Sequence, residues 1–540
     1  MMFNYRQAVA LSMGWVCLFS SLVLAKAAEV CTREVKTEQG LIRGLPDPNY
    51  AACAWKGVSY AQPPVGNLRW RAPLPPAPHE GVQDASAVGA ACPQPKLITA
   101  GGELERMDED CLTLNIWRPQ PSGRFPVMLW IHGGGFRTGS GAFAIYDGAR
   151  LAAEREVVVV TINYRLGHLG FLALPELAQE DPHRSSGNYA LLDMIQALTW
   201  VQKNIAGFGG DPNNVTVFGQ SAGGLSACVM MASPLAEGLF HKVIIESGPC
   251  DQAESLDQGY ERGRQLASSL GCGGPNAVEC LRAKPMAALV PKGGNLVLTG
   301  GMTFIPHLDG YLLKQDALAY LHAKDYHRVP VLIGTTRDEI KLYTITIPGT
   351  SLIPRFAITR LLRKLTGPMY DDAARLYPYS EYRHPINVFH ALATDMAIAS
   401  RAYDLAETVS GDVPVYLYRF DWDETRFPNK MGAFHSLEVP FVFGRLNLDF
   451  TLAKLVANKK VVKAAQPLVV EMMAYWTNFA KTGNPNGEGL PQWPAYNPQE
   501  KLRLHLDQPI SVQRVPDKDL ERFQFLNQYA ISGLTARPKK

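Results

Sequence analysis

Ten residues constrain this chain more than any other stretch: Val215-Thr216-Val217-Phe218-Gly219-Gln220-Ser221-Ala222-Gly223-Gly224. Their first four are apolar or β-branched and predict a short buried strand. The run from Leu225 to Met231 that follows the glycines predicts a helix. A serine between Gly219 and Gly223 therefore falls where a strand turns sharply into a helix. Such a turn forces the serine backbone into a strained conformation, and the glycines let strand and helix approach each other. Oγ would project above the sheet edge, beside the N–H of Ala222 and the start of the helix. The spacing G-x-S-x-G is common by chance, and its strand-then-helix setting is what makes it informative here.

The flanking segments extend the pattern. Phe125–Ile131 is nearly all apolar, as a central strand covered on both faces must be, and runs straight into His132-Gly133-Gly134-Gly135-Phe136. Residues 157–162 predict another buried strand, 188–205 a helix, and 208–212 the turn that feeds the serine strand. Further strands are expected at 109–117, 242–245, 331–333 and 415–420, with antiparallel strands at 30–42 and 51–60. Strands alternating with helices imply an α/β fold with a large, mostly parallel sheet and helices on both faces. Ligands then bind beyond the C-terminal strand ends, where His132 and Ser221 both lie. A helical insertion from 344 to about 401 is expected to wall the cleft. No linker is evident, so residues 28–540 read as one domain with long insertions.

The first 27 residues read as a signal peptide. Arg6 supplies positive charge, residues 8–24 are mostly apolar, and Ala25-Lys26-Ala27 fits the small-x-small cleavage pattern. An uncleaved anchor is the competing reading, but no later stretch is apolar for long enough to span a bilayer. The mature chain is expected to be secreted or periplasmic, without a stable membrane anchor. A net charge of +3 over 540 residues gives no argument for nucleic acid as a partner. Of nine cysteines, Cys17 leaves with the signal, and the remaining even number suits an oxidising compartment. Cys92 with Cys111, and Cys272 with Cys280, would each close a short loop, and Cys31 with Cys53 is a further candidate pair. Cys228, behind the serine on a buried helix, reads as a packed thiol.

A serine hydroxyl needs a base to take its proton during attack, and an acyl oxyanion needs donors already in place. Gly134, Gly135 and Ala222 are the candidate donors, because backbone without Cβ atoms can turn its N–H groups into a cleft. Among twelve histidines, His435 stands out in a loop before an apolar segment, with His241, His307 and His390 as downstream alternatives. Asp338 and Glu339 follow a predicted strand, and either could orient the imidazole. Adjacent residues on a turn point differently, so only one can do so, and composition does not choose between them. No metal or organic cofactor is called for.

These segments resemble the type B carboxylesterase and cholinesterase family of α/β-hydrolases, from about residue 35 to 524. The stretches 109–117 and 208–223 fit its signatures almost residue for residue, and Asn163-Tyr164-Arg165, 475–479 and Asn484-Pro485 fit as well. The resemblance, nearest to secreted bacterial-type carboxylesterases, implies an α/β-hydrolase that cleaves carboxylic esters through an acyl-enzyme. It places the triad on Ser221, His435 and Glu339, and the family's short disulfide on Cys92 and Cys111. It also implies ion pairs of Arg69 with Glu109 and of Arg165 with Asp193. The chain departs from the pattern at Ile340, where the family has glycine. It also lacks a tryptophan in the Cys92–Cys111 loop, which argues against choline esters.

Arg137, two residues beyond Gly135, stands where an uncharged residue is expected. It would lie near the cleft mouth and could select small-molecule esters whose acid part carries extra carboxylates, as bacterial relatives that strip tricarballylate from fumonisins do. A neuroligin-like binding protein on the same fold is the rival of another class. Neuroligins lose the nucleophile, whereas serine, histidine, glutamate and glycines are all present here. An amide or lactone hydrolase remains open. Oligomeric state is not legible.

Overall fold

Phe125–Ile131 is a strand with the limits its apolar run suggests, and it explains the layering of the molecule. Successive side chains on a strand point to opposite faces. Val127, Leu129 and Ile131 enter one buried core with Leu198 and Leu225, while Met128 and Trp130 enter a second with Met472 and Trp476. A strand with apolar residues on both faces is stable only between two such layers. The computed structural model describes residues 30–95, 106–291, 302–344, 347, 349–446 and 456–535. The signal peptide expected at 1–27 lies outside these residues.

Among the described residues the main sheet has eleven strands. In chain order they are β1 (Leu45–Pro46), β2 (Ala52–Ser59), β3 (Thr113–Pro119), β4 (Phe125–Ile131), β5 (Val158–Ile162) and β6 (Gly210–Gln220), then β7 (Lys242–Glu246), β8 (Val331–Thr336), β9 (Val415–Phe420), β10 (Leu502–Leu506) and β11 (Ser511–Arg514). Across the sheet the order is β11-β10-β9-β8-β7-β6-β4-β5-β3-β2-β1. The middle, from β10 to β5, is parallel, and antiparallel pairs close both sides. One face is covered by α1 (Tyr189–Asn204) and α2 (Ala222–Ala232), and the other by a 24-residue helix, Lys459–Thr482. The α/β architecture read from the sequence is the one observed. Within 344–401 lie α3 (Arg355–Thr366) and α4 (Pro385–Thr394), gathered on a small core that includes Ile340, Ile358, Leu362 and Phe389.

The strand expected at 30–42 is present only as Val35–Lys36 and Leu41–Arg43, paired with each other outside the main sheet, and two further expectations need correction. The strand expected at 109–117 begins only at Thr113, because Glu109 and Cys111 are engaged elsewhere. Arg69 holds the Glu109 carboxylate with both guanidinium arms, and Cys111 is bonded to Cys92. Cys228 is not a packed thiol. It forms a disulfide with Cys250, joining α2 to the loop after β7 across a Cα separation of 5.7 Å. The apolar setting of Cys228 reported burial correctly, but a helix pattern carries no sign of a partner 22 residues away. The pairs Cys31–Cys53, Cys92–Cys111 and Cys272–Cys280 are all formed. Arg165 and Asp193 make the second implied ion pair, fully buried, with contacts of 2.6 and 2.8 Å. Among the described residues no helix is long and apolar enough to cross a membrane.

Candidate active site

The turn between β6 and α2 is as tight as its sequence requires. Ser221 has φ 59° and ψ −122°, a conformation that costs a non-glycine residue of the order of 1–3 kcal/mol. Its N–H donates to the carbonyl of Glu246 at 2.8 Å, which pins the turn to β7. A Cβ on Gly223 would stand 1.9 Å from the Ile131 carbonyl oxygen, so only glycine lets α2 start this close to β4. Ala222 opens α2, and its N–H is among those that a helix leaves unbonded at its N-terminus.

The loop after β4 folds against this turn. A Cβ on Gly133 would lie 3.1 Å from the Ser221 Cβ, so the glycine run borders the serine directly. Gly134 has φ 115° and Gly135 φ 62°, both in the region that glycine alone enters freely. Arg137 follows on the same loop and is buried, only 7% exposed, rather than open at a mouth. Burial lowers its pKa, and its field, after the larger effect of burial, helps to hold His168 down to about 4.

His435 and Glu339 meet from two loops stitched together by main chain. Asp338 and Phe434 form an isolated parallel bridge, the Asp338 N–H donating to the Ala433 carbonyl at 2.8 Å. His435 Nδ1 lies 2.5 Å from Glu339 Oε2. The other carboxylate oxygen accepts from the Thr336 N–H at 2.8 Å and from Ser247 Oγ at 2.7 Å. Glu339 is fully buried, and every polar contact it makes fixes its plane toward the imidazole. Asp338 points away, to Arg337, Lys341 and the Ala433 N–H. The geometry therefore separates the two adjacent carboxylates that the residues alone left open. The substituted position, Ile340, turns into the small core under α3 rather than disturbing this loop. Of the alternative histidines, His307 contacts Glu254, His390 contacts Thr344, and His241 accepts from the Val215 N–H.

Three features escaped the sequence reading. Gln220 extends its amide to the imidazole, with Nε2 3.1 Å from His435 Nε2. With Nδ1–H directed at Glu339, Nε2 is the acceptor of that bond. No hydrogen bond joins Ser221 Oγ to His435 among the described residues. Second, Ser247, with φ 50°, bridges Glu339 to Glu438, its Oγ 3.5 Å from Glu438 Oε1. Third, a carboxyl cluster lies beneath the pair. Burial, then Glu339 and Glu246, push Glu438 well above the usual range, and burial pushes Glu246 up to about 8. Trp476 Nε1 donates to Glu246 at 2.7 Å. The only local signal was a charged residue inside an apolar run, as in Ile244-Ile245-Glu246 and Leu437-Glu438-Val439.

A serine on a strained strand-to-helix turn, beside a glycine loop and a buried Glu–His pair at the strand ends, defines an α/β-hydrolase. The chain belongs to the carboxylesterase family, whose sequence model matches residues 32–524. It is 38% identical over 498 residues to para-nitrobenzyl esterase of Bacillus subtilis (strain 168), covering 90% of this chain and 97% of that one. It is 33% identical over 502 residues to fumonisin B1 esterase of Sphingopyxis macrogoltabida, covering 90% and 89%. Among solved structures, Geobacillus stearothermophilus carboxylesterase EST55 aligns with a TM-score of 0.79 at 33% identity, covering 91% of this chain and 99% of that one. The protein is a carboxylic ester hydrolase.

Proposed function

We propose that Ser221 is the nucleophile, His435 the general base and Glu339 the group that orients it. Ser221 Oγ attacks the ester carbonyl while His435 Nε2 takes its proton. The oxyanion is met by the N–H groups of Gly134, Gly135 and Ala222. His435 then protonates the departing alcohol, and water, deprotonated by the same nitrogen, releases the acid and frees Ser221. The observation that carries this reading is the buried 2.5 Å contact of His435 with Glu339, beside a serine held at φ 59°. Ser221→Ala should leave folding intact and reduce turnover to a residue roughly 10³- to 10⁴-fold above water. A phosphonate inhibitor should label Ser221. Recovery of the label on another serine in a peptide digest would remove the assignment.

Export fits the four disulfides, which persist in oxidising compartments. Residues 1–27 are the segment proposed to be removed. For substrate, we favour esters whose acid part carries additional carboxylates. Two observations support this: a desolvated arginine two residues from the glycines proposed as oxyanion donors, and a relative named fumonisin B1 esterase. Guanidinium recognises carboxylates through paired hydrogen bonds, and more strongly out of water. Arg137→Ala should lower kcat/KM selectively for polycarboxylate esters compared with neutral esters of the same alcohol. Equal losses on both would separate Arg137 from selectivity.

A further inference from the structure

The outer face of α3 has the composition of a surface that lies on lipid. Ile358, Leu362 and Thr366 bury its inner face. Just ahead of the helix Leu352 is 83% exposed, and in its first turn Phe356 is 76% exposed, so two large apolar side chains stand in water at one end. Exposed apolar groups clustered in this way mark an interaction surface. Helical spacing puts Phe356, Arg360 and Arg363 on one face, with Lys364 beside them. From Ile340 to Tyr370 the sequence contains Lys341, Arg355, Arg360, Arg363 and Lys364 and no aspartate or glutamate.

None of the four cations of α3 forms an ion pair among the described residues. Arg355 and Arg363 lie over the rings of Tyr379 and Tyr370, at 4.4 and 4.0 Å from the ring centres. The nearest acids in sequence, Asp371 and Asp372, open the next helix, Tyr370–Leu376, and leave the region with a positive excess.

We propose that α3 docks this enzyme onto anionic lipid surfaces. Phe356 and Leu352 enter the headgroup and acyl boundary, and Arg360, Arg363 and Lys364 meet lipid phosphates. Basic amphipathic helices with aromatic or leucine tips bind membranes by this combination. A second copy of the chain is the poorer occupant, because a two-fold contact would set this basic face against itself. An uncharged protein groove would strip water from the cations without pairing them. The small core under α3 includes Ile340, the neighbour of Glu339. Docking does not depend on which residues perform the chemistry.

The test is flotation of the purified full chain with vesicles of phosphatidylcholine alone and of equimolar phosphatidylcholine and phosphatidylglycerol. Wild type should float with the anionic vesicles, about tenfold or more better than with the neutral ones, and less as salt rises. Phe356→Asp, and separately Arg360→Glu with Lys364→Glu, should each lower that partition by about tenfold or more. Both should hydrolyse a water-soluble ester at the wild-type rate, since the altered side chains are exposed and outside the site. Wild type that stays at the bottom of both gradients overturns the proposal, and so does Phe356→Asp floating as well as wild type. A dimer in sedimentation analysis that Phe356→Asp dissociates would assign the face to a second copy, which also overturns it.

Discussion

Gln220 Nε2 stands 3.1 Å from Nε2 of His435, the ring nitrogen proposed to take the proton of Ser221. That nitrogen has one lone pair, so Gln220 and Ser221 cannot both use it at once. The amide holds the imidazole in its Nδ1–H form and must yield when substrate binds. A crystal structure of a phosphonate adduct on Ser221 should show Gln220 withdrawn and His435 Nε2 turned to an oxygen of the adduct. If the 3.1 Å contact persists in the adduct, this exchange does not occur.

Glu339→Gln should cost far more turnover than Asp338→Asn. The amide would have to present either a donor to Nδ1–H or a misplaced acceptor, and the comparable change in a serine protease triad costs about 10⁴ in kcat. Asp338 contacts two cations at a half-buried position, so its loss should reduce kcat by less than about tenfold and stability by about 1 kcal/mol or less. Steady-state kinetics of the two variants decide the matter, and losses of similar size would reverse the roles.

Stability should depend on pH through Glu246. Burial raises it to about 8, so the folded chain keeps a proton that the unfolded chain loses near the ordinary glutamate value. This contribution is complete below about pH 4.3 and drains away as pH rises through about 8. Glu246→Gln never ionises and still offers an oxygen to Trp476. It should therefore gain on wild type as pH rises through that window, by at most about 1.4 kcal/mol per unit. Denaturant unfolding of both proteins at several pH values would show it, and a gap that stays constant argues against a proton on Glu246.

Non-reducing peptide mapping should recover Cys228 joined to Cys250. Replacing both by serine removes a covalent tie between α2 and the loop that carries Ser247. The chain-entropy expectation for a loop of 22 residues is about 3 kcal/mol. Thermal unfolding that leaves the double variant at the wild-type midpoint would contradict that value.

What was legible in the sequence was local. The turn at Ser221 could be read because strand, glycines and helix are contiguous, and β4 because its apolar run has no polar interruption. The Asp338–Glu339 choice was not legible from residues, since it depends on the bridge to residues 433–434, and only the family resemblance favoured Glu339. Gln220, the adjacent Glu246 and Ser247, and Glu438 assemble from three separate segments, so no window of sequence contains their relationship. The same holds for Cys250, which nothing near Cys228 announces. Burial is inferred from neighbours along the chain, whereas partners are set by the sheet order.

The bridge between Asp338 and Phe434 has a consequence for how such a chain can diversify. Glu339 and His435 are 96 residues apart, yet their loops are held by a contact between their immediate neighbours. The segment that contains α3 and α4 leaves the sheet after β8 and rejoins it at Val415, the start of β9, opposite Val331, at the other end of the strands from the bridge. Sequence in this excursion can drift, lengthen or acquire a new surface chemistry while the bridge keeps the loops of Glu339 and His435 together. Change is constrained where the excursion touches the pair, at Tyr343 beside the His435 ring and at Ile340 bonded to Thr394, and freer on its outer face.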